Sequence, residues 1–149
     1  MAVYLSTELG GSANQTSAPV GYKPRAAVYQ ARLKRLRATF TYATQTTSDT
    51  LTIGILPVGA TFAYGLITTS VSMGSSTLAI GITGTTGKYK AAGSAITATD
   101  TPTLFGVATV AGATDPALSA EETVIGTIGA ASLPASGTLV VDLFYSMPQ

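Results

Sequence analysis

The chain has 149 residues, a formal net charge of +1, and neither cysteine nor histidine. That composition excludes disulfides, thiolate metal sites and cysteine nucleophiles, together with every histidine-based general base, metal ligand or triad. The length fits one domain with a real core, since a chain of this size buries about 68–70% of its unfolded surface.

Charge is unevenly spread. Residues 1–40 hold six basic side chains (Lys23, Arg25, Arg32, Lys34, Arg35, Arg37) against Glu8, a net +5; residues 41–149 hold Lys88 and Lys90 against six acids, a net −4. A basic segment attached to a mildly acidic body is the natural reading. Only 10% of residues are charged, where an average globular protein has about 25%, and serine and threonine fill the gap. So few charges give a monomer little colloidal protection. We therefore expect other subunits to cover much of the surface, the alternative being a hydroxyl-rich β exterior. No run approaches the ~20 apolar residues of a membrane span. The start, "MAVYLSTELGG", lacks the basic and apolar regions of a signal peptide, so a soluble protein made in a cytoplasm is expected.

In chain order, residues 1–30 include "GGSANQTSAPVGYKP", without sustained periodicity, and read as an extended arm. At full stretch 30 residues reach roughly 100 Å, enough to cross a neighbouring subunit. From Leu36 the period is two: Leu36, Ala38, Phe40 and Tyr42 share one face, Arg37, Thr39 and Thr41 the other. This is a half-buried strand. "TLTIGIL" continues with Leu51, Ile53 and Ile55 on one face, and "LPVGA" (56–60) is a turn. "TFAYGLITTSVSM" and "STLAIGIT" are strands, the second placing Leu78, Ile80 and Ile82 together; "TLFGVATV", "TVIGTI" and "GTLVVDLFY" complete the series. In the last, Leu139, Val141, Leu143 and Tyr145 form one face, while Val140 and Phe144 flank Asp142 on the other. A strand apolar on both faces needs cover on both. The expected fold is all-β: an antiparallel sandwich of seven or eight strands, jelly-roll-like, over residues 36–149, preceded by an arm with a basic hinge over residues 1–35.

The basic cluster in "ARLKRLR" has no N-cap and runs into a Thr-rich β pattern, which argues against a helix. It sits where arm meets domain. Basic arms bind nucleic acid by neutralising phosphates, but Tyr29, Phe40 and Tyr42 form no stacking motif and the body is acidic. An acidic protein surface fits better, and no direct nucleic-acid binding is expected.

"GITGTTGKYK" fails as a phosphate loop. Ile82 stands where the first glycine belongs and Tyr89 where Ser or Thr would hold Mg²⁺. It reads as a Gly-rich loop with Lys88 and Lys90 solvated. Ser119 to Glu122 matches a capping box, but the β-branched residues that follow favour a single turn leading into a strand. Asp115, Glu121 and Glu122 match no Ca²⁺ loop and read as surface acids. Asn14-Gln15-Thr16 is a glycosylation sequon without a secretory signal. No acid–base pair, cofactor or metal site is recognisable, so the chain reads as non-enzymatic.

The run "LRATFTYATQTTSDTLTIGILPVGATFAYGLITTSVSMGSSTLAIGITGTTGKYKAA", with "ATDTPTLFGVA" and "EETVIGTIGAASLPASGTLVVDLFY", resembles the capsid decoration or cement proteins of tailed bacteriophages over about residues 30–146, in strand-and-turn texture more than in any single motif. That resemblance implies a β-sandwich on the outer surface of the virion head, holding capsomers together, with the major capsid protein as partner. It also implies a homo-oligomer, a trimer before a dimer. Candidate capsid contacts are then Lys23, Arg25, Arg32, Lys34, Arg35 and Arg37, and candidate oligomer contacts Val140 and Phe144. The competing reading is a head-fibre or tail-associated carbohydrate- or receptor-binding module, with the seven tyrosines as stacking surfaces but no tryptophan.

Overall fold

The computed structural model describes residues 32–47, 49–106 and 117–147. These form eight strands and no helix: β1 (Leu33–Thr41), β2 (Thr50–Leu56), β3 (Thr61–Thr69), β4 (Thr77–Ile82), β5 (Thr85–Lys90), β6 (Thr103–Phe105), β7 (Glu122–Gly129) and β8 (Thr138–Ser146). They make two antiparallel four-stranded sheets, ordered β1-β8-β3-β6 and β2-β7-β4-β5. Successive strands switch sheets except at the β4–β5 hairpin. This is the jelly roll, in which the first and last strands pair and each sheet mixes early and late segments.

The alternation of apolar and hydroxyl residues decides which side of each strand faces the core. Leu139, Val141 and Leu143 of β8 are fully buried, with Leu78 and Ile80 of β4 and Val124 and Ile128 of β7 opposite them. Leu36, Ala38 and Phe40 of β1 pack against this core and Tyr42 enters it, as the period of two predicts. Aromatic rings fill one end: Phe62 lies 4.5 Å from Tyr89 and 6.3 Å from Phe105, between ring centroids.

The structure corrects three expectations. In β2 the register slips between Thr52 and Gly54. This bulge puts Leu51, Ile53 and Leu56 in the core and leaves Ile55 49% exposed, so Ile55 does not share a face with the other two. Glycine suits the slip because a Cβ at position 54 would come within 2.7 Å of the Leu36 side chain, where β2 passes β1. The turn after β2 accordingly begins at Pro57, whose carbonyl accepts a bond from the Ala60 amide.

The second correction is β5, which the sequence presents as a loop. Its lysines are not simply solvated. Lys88 pairs with Glu122, and Lys90 Nζ donates to the Leu78 carbonyl at 2.7 Å, burial holding its pKa below the ordinary lysine value. Third, Glu122 is no surface acid. Its carboxylate accepts from Lys88 and, at 2.5 Å, from the Tyr89 hydroxyl, tying β5 to β7. Asp115 lies outside the described residues, as do Asn14 to Thr16.

Candidate interaction face

β8 is a central strand, and each of its faces has a separate role. Leu139, Val141 and Leu143 point inward. Val140, Asp142 and Phe144 point away from the core, into rows set by the pairing register. One row runs Arg35, Phe144, Tyr64. The next runs Arg37, Asp142, Leu66, Leu104, and a third Thr39, Val140, Thr68. Tyr64 reaches this face because the β3 register slips between Phe62 and Tyr64, which turns Phe62 into the core and Tyr64 out of it.

The middle of the face is an ion pair. Arg37 Nε donates to Asp142 Oδ1 and its terminal nitrogen to Oδ2, both at 2.7 Å, a bidentate fork. Asp142 is only 6% exposed. The hydrogen bonds from Arg37 hold its carboxyl below the ordinary aspartate range, with the nearby charges of Arg37 and Arg35 acting in the same direction and burial against it. Arg37 is correspondingly held charged, through the same bonds.

Around this pair the face is apolar and aromatic. Tyr64 and Phe144 stack, their centroids 4.7 Å apart and their planes 21° from parallel. Both are half-buried, as are Leu66 and Val140, while Leu104 at the β6 edge is 55% exposed and Leu33 at the start of β1 is 50% exposed.

The predicted site residues fall as follows. Val140 and Phe144 share this face, as the sequence pattern requires. Arg35 and Arg37 lie on its β1 edge. Lys34, on the opposite side of the same strand, is exposed, its Nζ 3.7 Å from Met147 Sδ. Arg32 is exposed just before β1. Lys23 and Arg25 lie outside the described residues. Sequence reasoning did not bring in Tyr64, Leu66 and Leu104. Their outward direction depends on the β3 bulge and on β3 lying between β8 and β6, which only the folded topology supplies.

Among the described residues no cluster of three or more His, Cys, Asp or Glu side chains could hold a metal ion. What the face offers is contact: stacked rings and aliphatic groups over a neutralised charge pair, beside a cationic edge.

No family model matches the chain, and no curated protein matches it. Solved structures do. A chain in the cyanophage Pam1 capsid asymmetric unit superposes with a TM-score of 0.62 at 21% identity, over 92% of this chain and 96% of that one. A chain in the capsid of Ralstonia phage GP4 gives 0.51 at 19% identity, over 80% and 85%. This protein shares its fold with chains of phage capsid structures.

Proposed function

We infer that this protein is a structural virion component of a tailed-phage head: a decoration or cement protein that binds the outside of the shell and strengthens contacts between capsomers. The observation that carries this reading is the match with the Pam1 capsid chain, which spans nearly all of both molecules. Nearly equal length supports a like use of the whole fold, beyond a shared sheet. The surface chemistry is in keeping, offering broad contact and no assembled set of reacting groups.

In this reading Arg32, Lys34 and Arg35, with Arg37 behind them, meet an acidic patch of the major capsid protein. The expected arm of residues 1–35 stops short of Leu33, where β1 begins; the residues before it, with Lys23 and Arg25, form an arm that crosses between neighbouring capsid subunits. The body oligomerises through the face that carries Val140 and Phe144. Many copies on one lattice then turn modest single contacts into firm attachment.

Deleting residues 1–30 tests the arm. Among the described residues both sheets and the core are built from positions after Arg32, so the truncated body should fold while its occupancy on purified shells collapses. Full occupancy by the truncated protein would refute the arm's role. Failure of the full-length protein to bind shells, with no gain in shell resistance to heat, would refute the function.

A further inference from the structure

Within the four strands of the β2-β7-β4-β5 sheet the charged side chains are Lys88 and Lys90 of β5 and Glu122 of β7, and all three fasten β5. Glu122 accepts from the Lys88 ammonium and from the Tyr89 hydroxyl. Lys90 Nζ donates to the Leu78 carbonyl at 2.7 Å and to the Ala91 carbonyl at 3.3 Å. We propose that β5 is a strap that opens by itself, hinged at the β4–β5 turn and latched by Glu122, while the rest of the sandwich stays folded. The proposal rests on β5 and its partners alone and requires no capsid.

The backbone holds β5 weakly. It is an edge strand, bonded to β4 on one side. Its register pairs Ile80 with Lys90 and Ile82 with Thr85 and slips between them, whereas β4 and β7 stay in register from Thr77 to Gly81. Thr85, Thr86, Gly87 and Lys88 are exposed, which leaves Tyr89 as the one fully buried side chain of the strand. Both ends are free to turn. Gly84 sits in the turn before β5 at a φ of 85°, and Ala91 to Ser94 behind it are exposed and outside any strand. A segment with few buried apolar contacts and an exposed backbone opens at a lower free energy than the whole fold.

Charge closes the strap. Tyr89 is 9% exposed, and its ring centroid lies 4.5 Å from that of Phe62. Lys88 Nζ lies 5.4 Å from the same Tyr89 ring, so ammonium, ring and carboxylate form one unit. Hydrogen bonds to an ionised group are about twice as strong as neutral ones. Removing the charge of Glu122 therefore weakens both of its bonds together and leaves Tyr89 held mainly by its ring. Opening lifts Tyr89 off Phe62 and bares the edge of β4. The latch thus also keeps a sheet edge covered.

Trypsin reads the opening, because Lys88 and Lys90 are its only sites beyond Arg37 and a strand paired in a sheet resists cutting. The full-length protein is digested at neutral pH, and the fragment that begins at Tyr89 is followed by mass. Cutting tracks the population of the open form when opening and closing outpace the protease. Glu122→Gln should speed cutting at Lys88 at least about tenfold, and Tyr89→Phe, which keeps the ring, about threefold or more. Leu143→Ala, in the other sheet, is the control. It destabilises the closed and opened forms alike, so cutting at Lys88 should stay within about twofold of the wild type. Low urea should also change the rate little, since freeing one strand exposes little surface. Acceleration by Leu143→Ala to match Glu122→Gln, or a rate that climbs steeply with urea, would mean that β5 leaves only with the whole fold and overturns the strap. Should Glu122→Gln fail to fold, Tyr89→Phe decides. No acceleration in either variant overturns the latch.

Discussion

Asp142 sits on the solvent side of its sheet yet is almost wholly covered, and it stays ionised because Arg37 gives it two short bonds. Its folded pKa is depressed, so the stability it contributes is complete above the unfolded aspartate pKa and is lost as pH falls through the folded value. Glu122 acts in the same direction. Burial would raise its pKa, but the bonds from Lys88 and Tyr89 and the charge of Lys88 outweigh that and leave it lowered. Urea unfolding of the wild type should therefore show stability falling from about pH 5 towards about pH 2. Asp142→Asn should be less stable at neutral pH and flatter across that window. Wild-type and variant profiles that ran parallel would mean the pair adds nothing to folding. High salt should change the difference little at Asp142 itself, although the exposed side of Arg37 is screened.

At the scale of strands, β5 shows what sequence could and could not tell. The other strands announce themselves through alternation, and β8 even declares its second face, because Val140 and Phe144 interrupt the polar side. "TTGKYK" has one buried apolar residue, Tyr89, and no usable period. Its place depends on Glu122, 33 and 34 residues along the chain, which Tyr89 and Lys88 bind, and on the hairpin, where the β5 backbone lies over Gly81. A Cβ at Gly81 would fall 2.2 Å from the Thr85 carbonyl oxygen and 2.6 Å from Thr86. Backbone cannot yield there as a side-chain tip can, so Gly81→Ala should cost about 1–3 kcal/mol or more in denaturant unfolding. Gly93→Ala is the control, since its methyl meets only the Ala91 oxygen at 3.9 Å; it should stay within about 0.5 kcal/mol. Equal behaviour of the two would show that β5 does not sit against Gly81 in solution. The candidate face was half legible for the same reason. Alternation within β1 and β8 gave Arg35, Arg37, Val140 and Phe144, whereas Tyr64, Leu66 and Leu104 join only through a bulge and a strand order. β8 itself is the element on which the sheet depends, bonded to β1 on one side and β3 on the other. Leu143→Ala, at a fully buried site in its middle, should lose about 2–5 kcal/mol by equilibrium unfolding.

Across the whole molecule, chain topology and charge meet at β1. The strand closes the fold by pairing with β8, more than 100 residues away, and it is also a sheet edge whose backbone could recruit a stray strand. Lysine and arginine along an edge discourage that pairing. The same side chains give an otherwise mildly acidic body one cationic border, suited to drawing the protein onto an acidic surface. Replacing Arg32, Lys34 and Arg35 by alanine should leave the fold intact, because all three are exposed and none forms an ion pair among the described residues. Arg37 is kept, so Asp142 retains its partner. Binding to purified shells should then weaken mainly through slower association, since exposed charges at the border of an interface act most on encounter. The gap between variant and wild type should be wide at low salt. It should close towards 1 M, where the screening length is about 3 Å. Association rates measured at both ionic strengths decide the matter. A variant that binds as fast as wild type at low salt would remove the basic edge from the contact and leave attachment to the arm.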